Sequence, residues 1–342
     1  MTAAPLAEAA PAKLNLYLHV TARRPDGYHE LDSLVAFAEI GDTVTVQPGV
    51  ARVALRGADL PPAGPRLVIS GPFGPALMGE NPAGNLVIRA AHALAARLGR
   101  DADALIALHK LLPVASGIGG GSADAAACLR ALGRLWGLEA NAALLYEVAA
   151  GLGADVPVCV AGQSCFFGGI GEILDAAPPL PEVHAVLANP GVPVPTPAVF
   201  KARSGDFSAP ARFATAPADA AALAALLRER SNDLTAPALT VAPAIADTLA
   251  ALERSAGCLL ARLSGSGATC FGLYATATQA EAAAAGIAAA EPRWWVKATR
   301  LRPTAADAPA LPKGLTAALA TGPAAAPPPS VPFPDTGGWG VG

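Results

Sequence analysis

The sequence is short of charge and of aromatic rings. Of its 342 residues only 15% are Asp, Glu, Lys or Arg, and 5% are Phe, Trp or Tyr. Neither sign of charge prevails: 24 basic against 27 acidic side chains leave −3, with a pI near 6.0. A chain with no basic surplus and no basic-aromatic stripe is not built to cover nucleic acid, so any polyanion it holds must be gripped locally. Cysteine is scarce too. Cys128, Cys159, Cys165, Cys258 and Cys270 are odd in number and lack Cys-x-x-Cys spacing, which fits free thiols in a reducing cytoplasm. Long apolar runs are missing. Mean hydropathy of +0.41 is inflated by alanine. The uncharged stretch 183–200 is broken by Pro190, Pro193, Pro195 and Pro197, and 263–280 by Gly265, Gly267 and Gly272. Neither is the span of about 20 apolar residues that crosses a membrane. The N-terminus shows no basic region followed by an apolar block, so no secretory leader is read there. No His-Glu-x-x-His or Gly-x-Ser-x-Gly suggests a metalloprotease or a serine hydrolase. The expectation is a cytoplasmic protein that engages neither membrane nor nucleic acid, its oligomeric state left open.

What the chain does have is core material: 53% hydrophobic residues, enough for about two domains at roughly 150 residues each. Apolar alternation over 13–20 predicts a half-buried strand, with Lys13 and Asn15 on the same side. Residues 21–30, with Pro25-Asp26-Gly27, read as a turn-rich loop, and 42–47 and 52–56 as further strands. Asn85 is placed to cap a helix that Gly99 closes. A short strand at 105–108 precedes a glycine-rich loop at 113–121, a helix over 122–136 and another over 141–152. Past Cys165 a Gly/Pro-rich connection leads to a strand at 183–188, helices at 219–230 and 242–255, and a strand–loop–strand at 259–274. An Ala-rich helix at 279–290 and a strand at 294–301 complete a pattern that suggests a ferredoxin-like unit. From Pro303 on there are nine prolines and three charged residues, read as a disordered tail. The predicted fold is α+β with domains at 1–166 and 167–302 and a tail at 303–342.

The strongest local signal is Pro113-Val114-Ala115-Ser116-Gly117-Ile118-Gly119-Gly120-Gly121-Ser122-Ala123-Asp124. Four glycines within five residues, opening directly into a helix, free backbone N–H groups to converge on an anion at the positive end of the helix dipole. A flexible turn before a helix is the plainer alternative. It is not a Walker loop, since no lysine lies between Lys110 and Lys201, nor a dinucleotide fingerprint, whose third glycine position is Ser122. Gly153-Ala154-Asp155-Val156-Pro157 reads on its own as a helix cap. Ser264-Gly265-Ser266-Gly267 reads as a tight turn between strands, and 23–30 as a solvated hairpin loop.

Taken in order, Pro-Ala-Lys-Leu-Asn near the N-terminus, the mid-chain PxxxGxGGGSAD loop, Gly-Ala-Asp-Val-Pro and a late SGSGAT resemble the GHMP small-molecule kinase superfamily. The likeness spans about 10–301. Arg24 to His29, Pro195-Thr196-Pro197 with Phe200, and Ser231-Asn232-Asp233-Leu234 match the branch acting on a cytidine diphosphate-linked methylerythritol in isoprenoid precursor synthesis. The resemblance implies that superfamily's two-domain fold, with the active site in the cleft between the domains, and an ATP-dependent phosphotransferase with Mg2+. It places the ATP phosphates on Pro113, Val114, Ala115, Ser116, Gly117, Ile118, Gly119, Gly120, Gly121, Ser122 and Ala123, with Asn85 and Lys110 lining the nucleotide pocket. It makes Lys13 and Asp155 the catalytic pair. Tyr28 and Phe200 would sandwich the cytosine and His29 would bond its edge, with Asn15, Thr196, Gly265 and Ser266 as further substrate contacts. Ser122 is the candidate for Mg2+, because its hydroxyl opens the helix at the phosphates; no acidic ligand is assigned.

Overall fold

The computed structural model describes residues 4–49, 64–79, 81–138, 143–303 and 311. The expected strand at 52–56, the start of the helix at 141 and nearly all of the tail lie outside those residues. Leu311 is partly buried against the core of the first half. Among the described residues no helix is long and apolar enough to cross a membrane.

The first half contains, in chain order, β1 (Leu6–Arg23), β2 (His29–Pro48), β3 (Arg66–Ser70), α1 (Leu86–Arg97), β4 (Ala104–His109), α2 (Gly120–Leu135), α3 (Ala143–Ala150), α4 (Val156–Ala161), β5 (Cys165–Gly169) and β6 (Ile173–Ala176). β1 and β2 form a long antiparallel hairpin. Its tip is a turn in which the Gly27 N–H donates to the Arg24 carbonyl at 3.0 Å. β4 and β5 share the other edge of β2, at opposite ends; β3 runs parallel to β4, and β6 antiparallel to β5. The expected domain boundary at 166 therefore falls inside β5: the first sheet continues to Ala176, because Cys165–Gly169 pairs with β2. Asn85 caps α1 as expected, its Oδ1 accepting from the Val87 N–H at 2.9 Å. α2 is rich in alanine, which favours helix and lets it lie close on the sheet.

The second half adds β7 (His184–Asn189), α5 (Thr196–Ala202), α6 (Ala220–Arg228), α7 (Thr235–Val241), α8 (Ala244–Arg254), β8 (Leu260–Leu263), β9 (Cys270–Tyr274), α9 (Ala277–Ala290) and β10 (Trp295–Arg300). Its sheet has the order β10-β7-β9-β8, all pairs antiparallel. With α8 and α9 as the crossovers, this is the ferredoxin-like order the spacing suggested.

One expectation changes at the seam between the halves. β1 is not half-buried: every residue from Ala10 to Val20 is buried. Val35, Phe37, Val44 and Val46 of β2 face α1, α2 and α4 in one core. Ala12, Leu14 and Leu16 point the other way, into a core shared with Leu187, Phe271 and Leu273. The sheet of the first half is thus covered on both sides. Arg262 of β8 ties the seam, donating to the carbonyls of Leu16 (2.7 Å), Leu227 (2.8 Å) and Arg230 (2.7 Å). Burial, with Arg230 nearby, pushes its guanidinium down to about 10.

Candidate active site

The glycine-rich loop joins β4 to α2, and α2 begins at Gly120, two residues earlier than expected. Its N-cap is Gly119, in the left-handed region at φ +64°, with no side chain capping the turn. The Ala123 N–H already donates to the Gly119 carbonyl at 2.8 Å. The amides of Gly120, Gly121 and Ser122 precede the first intrahelical donor and stand at the positive end of the helix. Val114, Ala115 and Gly121 are exposed, whereas the side chains of Pro113, Ser116, Ile118 and Ala123 form the buried underside of the loop. Ser116 turns its hydroxyl inward, to the Pro113 carbonyl at 2.7 Å.

Lys13 runs along this loop. Its backbone N–H donates to the Ile118 carbonyl at 2.9 Å, and a Cβ on Gly119 would come within 3.2 Å of the Lys13 Cβ and Cε. Its ammonium then reaches Asp155 Oδ2 at 2.9 Å and lies 5.4 Å from the centre of the Phe167 ring. Asp155 occupies the N-cap position of α4, yet its side chain makes no capping hydrogen bond. The carboxylate is turned to Lys13 instead, and 38% of the side chain stays exposed. The cap alternative thus describes where Asp155 sits but not what its carboxylate contacts.

The late Ser-Gly-Ser-Gly turn docks on the same loop. Thr269 N–H donates to the Ser116 carbonyl at 3.0 Å, and Ser264 Oγ donates to the Gly117 carbonyl at 3.1 Å. A Cβ on Gly117, whose φ is +77°, would stand 2.6 Å from the Gly267 oxygen. Only glycine lets the two backbones approach this closely. Gly265 faces Asn15, which is buried and donates from Nδ2 to Ser33 Oγ at 2.9 Å. The Asn15 Oδ1 has no partner among the described residues. Ser266 Oγ meets Thr196 Oγ1 at 2.7 Å, which brings the first residue of α5 to the turn.

Phe200, further along α5, carries the aromatic contact, with one difference from expectation. The ring stacked on Phe200 is that of His29, with centroids 5.1 Å apart and planes 24° apart. Tyr28 stands at the hairpin tip, 47% exposed. Burial, reinforced by Arg23 and Arg203, holds His29 below the usual imidazole range, which favours its neutral form.

Two expected nucleotide contacts are otherwise engaged. Asn85 uses its Oδ1 to cap α1. Lys110 is buried, its ammonium between Asp42 Oδ2 at 2.5 Å and Asp124 Oδ2 at 2.7 Å. It lies beneath the loop, its ammonium 3.1 Å from where a Cβ on Gly120 would stand. Neither carboxylate was singled out by sequence. Asp124 ends the glycine motif and Asp42 opens a strand, but a triad drawn from three separate segments leaves no spacing signature. Among the described residues no group of three or more His, Cys, Asp or Glu could hold a metal ion.

Two family descriptions match this chain: the GHMP kinases N-terminal domain over residues 85–163 and the GHMP kinases C-terminal domain over 214–292. The chain is 50% identical over 293 residues to a 4-diphosphocytidyl-2-C-methyl-D-erythritol kinase of Paramagnetospirillum magneticum, covering 85% of this chain and 97% of the relative. It is 52% identical over 298 residues to the kinase of that name from Paracoccus denitrificans, covering 86% and 97%. A crystal structure of 4-(cytidine 5'-diphospho)-2C-methyl-D-erythritol kinase is similar at a TM-score of 0.68 and 34% identity, covering 86% of this chain and 99% of the other.

Proposed function

The chain belongs to the GHMP kinases, among the 4-diphosphocytidyl-2-C-methyl-D-erythritol kinases, and on that premise we propose how its residues move the γ-phosphoryl of ATP to the 2-hydroxyl of that compound. The amides from Gly119 to Ser122 receive the phosphates at the end of α2, where the dipole favours negative charge. Lys13 supplies a fixed positive charge between loop and acceptor. Asp155 takes the hydroxyl proton as the alcohol oxygen bonds to the γ-phosphorus. The bond to the β–γ bridging oxygen breaks, ADP leaves with that electron pair, and the proton stays on the carboxylate.

Tyr28, His29 and Phe200 hold the cytosine. Stacking rewards any flat base, while a neutral His29 offers both a donor and an acceptor to its edge. The unpartnered Asn15 Oδ1 is a buried acceptor that a substrate hydroxyl can satisfy. Thr196, Gly265 and Ser266 complete that wall. Ser122, whose hydroxyl lies in the first turn of α2, would offer one oxygen to a Mg2+ travelling with ATP. An ion held in this way would keep mainly water and phosphate oxygens. When bound, it neutralises phosphate charge.

The observation that carries this reading is that one side chain, Lys13, touches both the glycine-rich loop and Asp155. Asp155→Asn tests it. Turnover should fall by roughly 10²–10⁴, while the Kd of a fluorescent ATP analogue stays within about threefold. Near-normal turnover would remove Asp155 from the chemistry.

A further inference from the structure

Three ionisable side chains lie buried beneath the glycine-rich loop, and the chemistry above uses none of them. Lys110 donates from Nζ to Asp42 Oδ2 at 2.5 Å and to Asp124 Oδ2 at 2.7 Å. The other oxygen of Asp42 accepts from the backbone N–H groups of Leu111 (2.5 Å) and Leu112 (2.8 Å). Those residues lead into the loop at Pro113. Asp124 stands in α2, just past the end of the loop. A Cβ on Gly120 would lie 3.1 Å from Lys110 Nζ, so the ammonium presses on the first residue of the helix. The Lys110 backbone is itself fixed, its N–H on the Ser70 carbonyl at 2.8 Å and its carbonyl accepting from Phe73 at 3.2 Å.

We propose that Asp42, Lys110 and Asp124 are positioning residues that clamp the two ends of the glycine-rich loop at the separation an ATP triphosphate requires. The proposal rests on the reading that this loop binds those phosphates. Neither stability nor simple attraction explains the triad. Desolvating three charges offsets much of what their pairing returns, and an apolar set of the same volume serves a core as well. Nor does the triad attract a polyanion: fully ionised it carries one negative charge in excess, next to the phosphate site. Asp124 Oδ1 has no partner among the described residues, and burial together with Asp42 pushes its carboxyl up. What such a triad does supply is distance. One ammonium held by two carboxylates fixes the spacing of β2, the loop entrance and α2, three segments with no covalent reason to stay in register.

Asp124→Ala is the direct test. It cuts the tie to α2, leaves Asp42 and Lys110 as a balanced pair, and places a good helix former in the helix. The KM for ATP should rise at least about tenfold, with kcat at saturating ATP and the KM for the cytidine substrate within about threefold. Charge alone works the other way, since removing a carboxylate near the phosphates tightens ATP; an unchanged or lowered KM for ATP overturns the proposal. If Asp124→Ala fails to fold, the volume-matched double variant Lys110→Met with Asp124→Leu takes its place. Its Tm should match the parent while the KM for ATP is still raised about tenfold. A restored Tm with a normal KM for ATP assigns the triad to stability and ends the proposal. Gly121→Val, which adds bulk at the exposed turn of the loop, separates the two readings. If it raises the KM for ATP and the triad variants do not, only the clamp fails. If neither moves it, the phosphate reading falls as well.

Discussion

Phe200 and His29 lie ring on ring, so in the proposed stacking a cytosine between Tyr28 and Phe200 would displace or slide past the imidazole. Phe200→Ala removes that platform. At about 1–3 kcal/mol per stacked base, the KM for the cytidine substrate should rise about 5- to 150-fold, with the KM for ATP unchanged in steady-state assays. The state of His29 sets the acid limit. Its pKa lies below the ordinary 6.5, so the neutral form persists as pH falls through that value. The KM for the cytidine substrate should therefore be flat from about pH 8 down to 6.5 and rise only below it; a rise centred above 6.5 would contradict the assignment. At this scale the sequence was most informative where function concentrates in short motifs. Lys13, Asp155 and the glycine run stand out because backbone freedom and the order of the motifs leave a local trace. Lys110 is expected only as a nucleotide contact and Asp42 not at all; their meeting with Asp124 leaves no trace in the sequence, because a buried charge cluster is a property of three-dimensional neighbours.

Among the elements, β2 carries a network at its hairpin end that the chemistry does not use. Asp32 accepts from the Tyr17 hydroxyl (2.8 Å), the Ala211 N–H (2.8 Å) and Arg212 Nε (2.7 Å). It fastens the irregular segment between α5 and α6 across β1 and β2. Burial alone would raise the Asp32 pKa, but Ala211, Arg212 and Tyr17 outweigh it and hold the carboxyl low. A depressed carboxylate contributes stability above its unfolded value, about 3.9, and loses it as pH falls through the lower folded value. Asp32→Ala should cost about 2–4 kcal/mol near neutral pH, and the Tm gap between variant and parent should close below about pH 4. A gap that persists in acid would mean that lost packing, not the carboxylate, sets the cost. Element types over long periodic stretches were readable, as α1, α2 and α9 show. The short helices α4, α5 and α7 were not separately recognised, since a proline in each breaks up a helical pattern of only six or seven residues. β1 read as half-buried because its alternation is genuine; what covers its second face includes Leu187, Phe271 and Leu273, more than 170 positions further on.

For the molecule as a whole, the two halves meet backbone to backbone at Gly117 and Gly267. Gly117→Ala would bring a methyl group to 2.6 Å from the Gly267 oxygen at a φ of +77°. Both loops must then shift, so the KM for ATP and that for the cytidine substrate should rise together, at least about fivefold each. A change confined to one substrate would show that the two walls move independently. The ferredoxin-like strand order was readable from the alternation of elements, whereas the place where one half ends was not. Cys165–Gly169 looks like a glycine-rich connector in sequence and becomes a strand only because β2 offers it an edge.

That shared seam also bears on how such an enzyme can be re-engineered. A chimera that took its nucleotide half from one relative and its acceptor half from another would inherit two turns shaped for different neighbours. Ser116 and Thr269, or Gly117 and Gly267, would have to be transplanted as a matched set, and changes of acceptor preference should be easier to reach through α5 and the hairpin tip than through wholesale exchange.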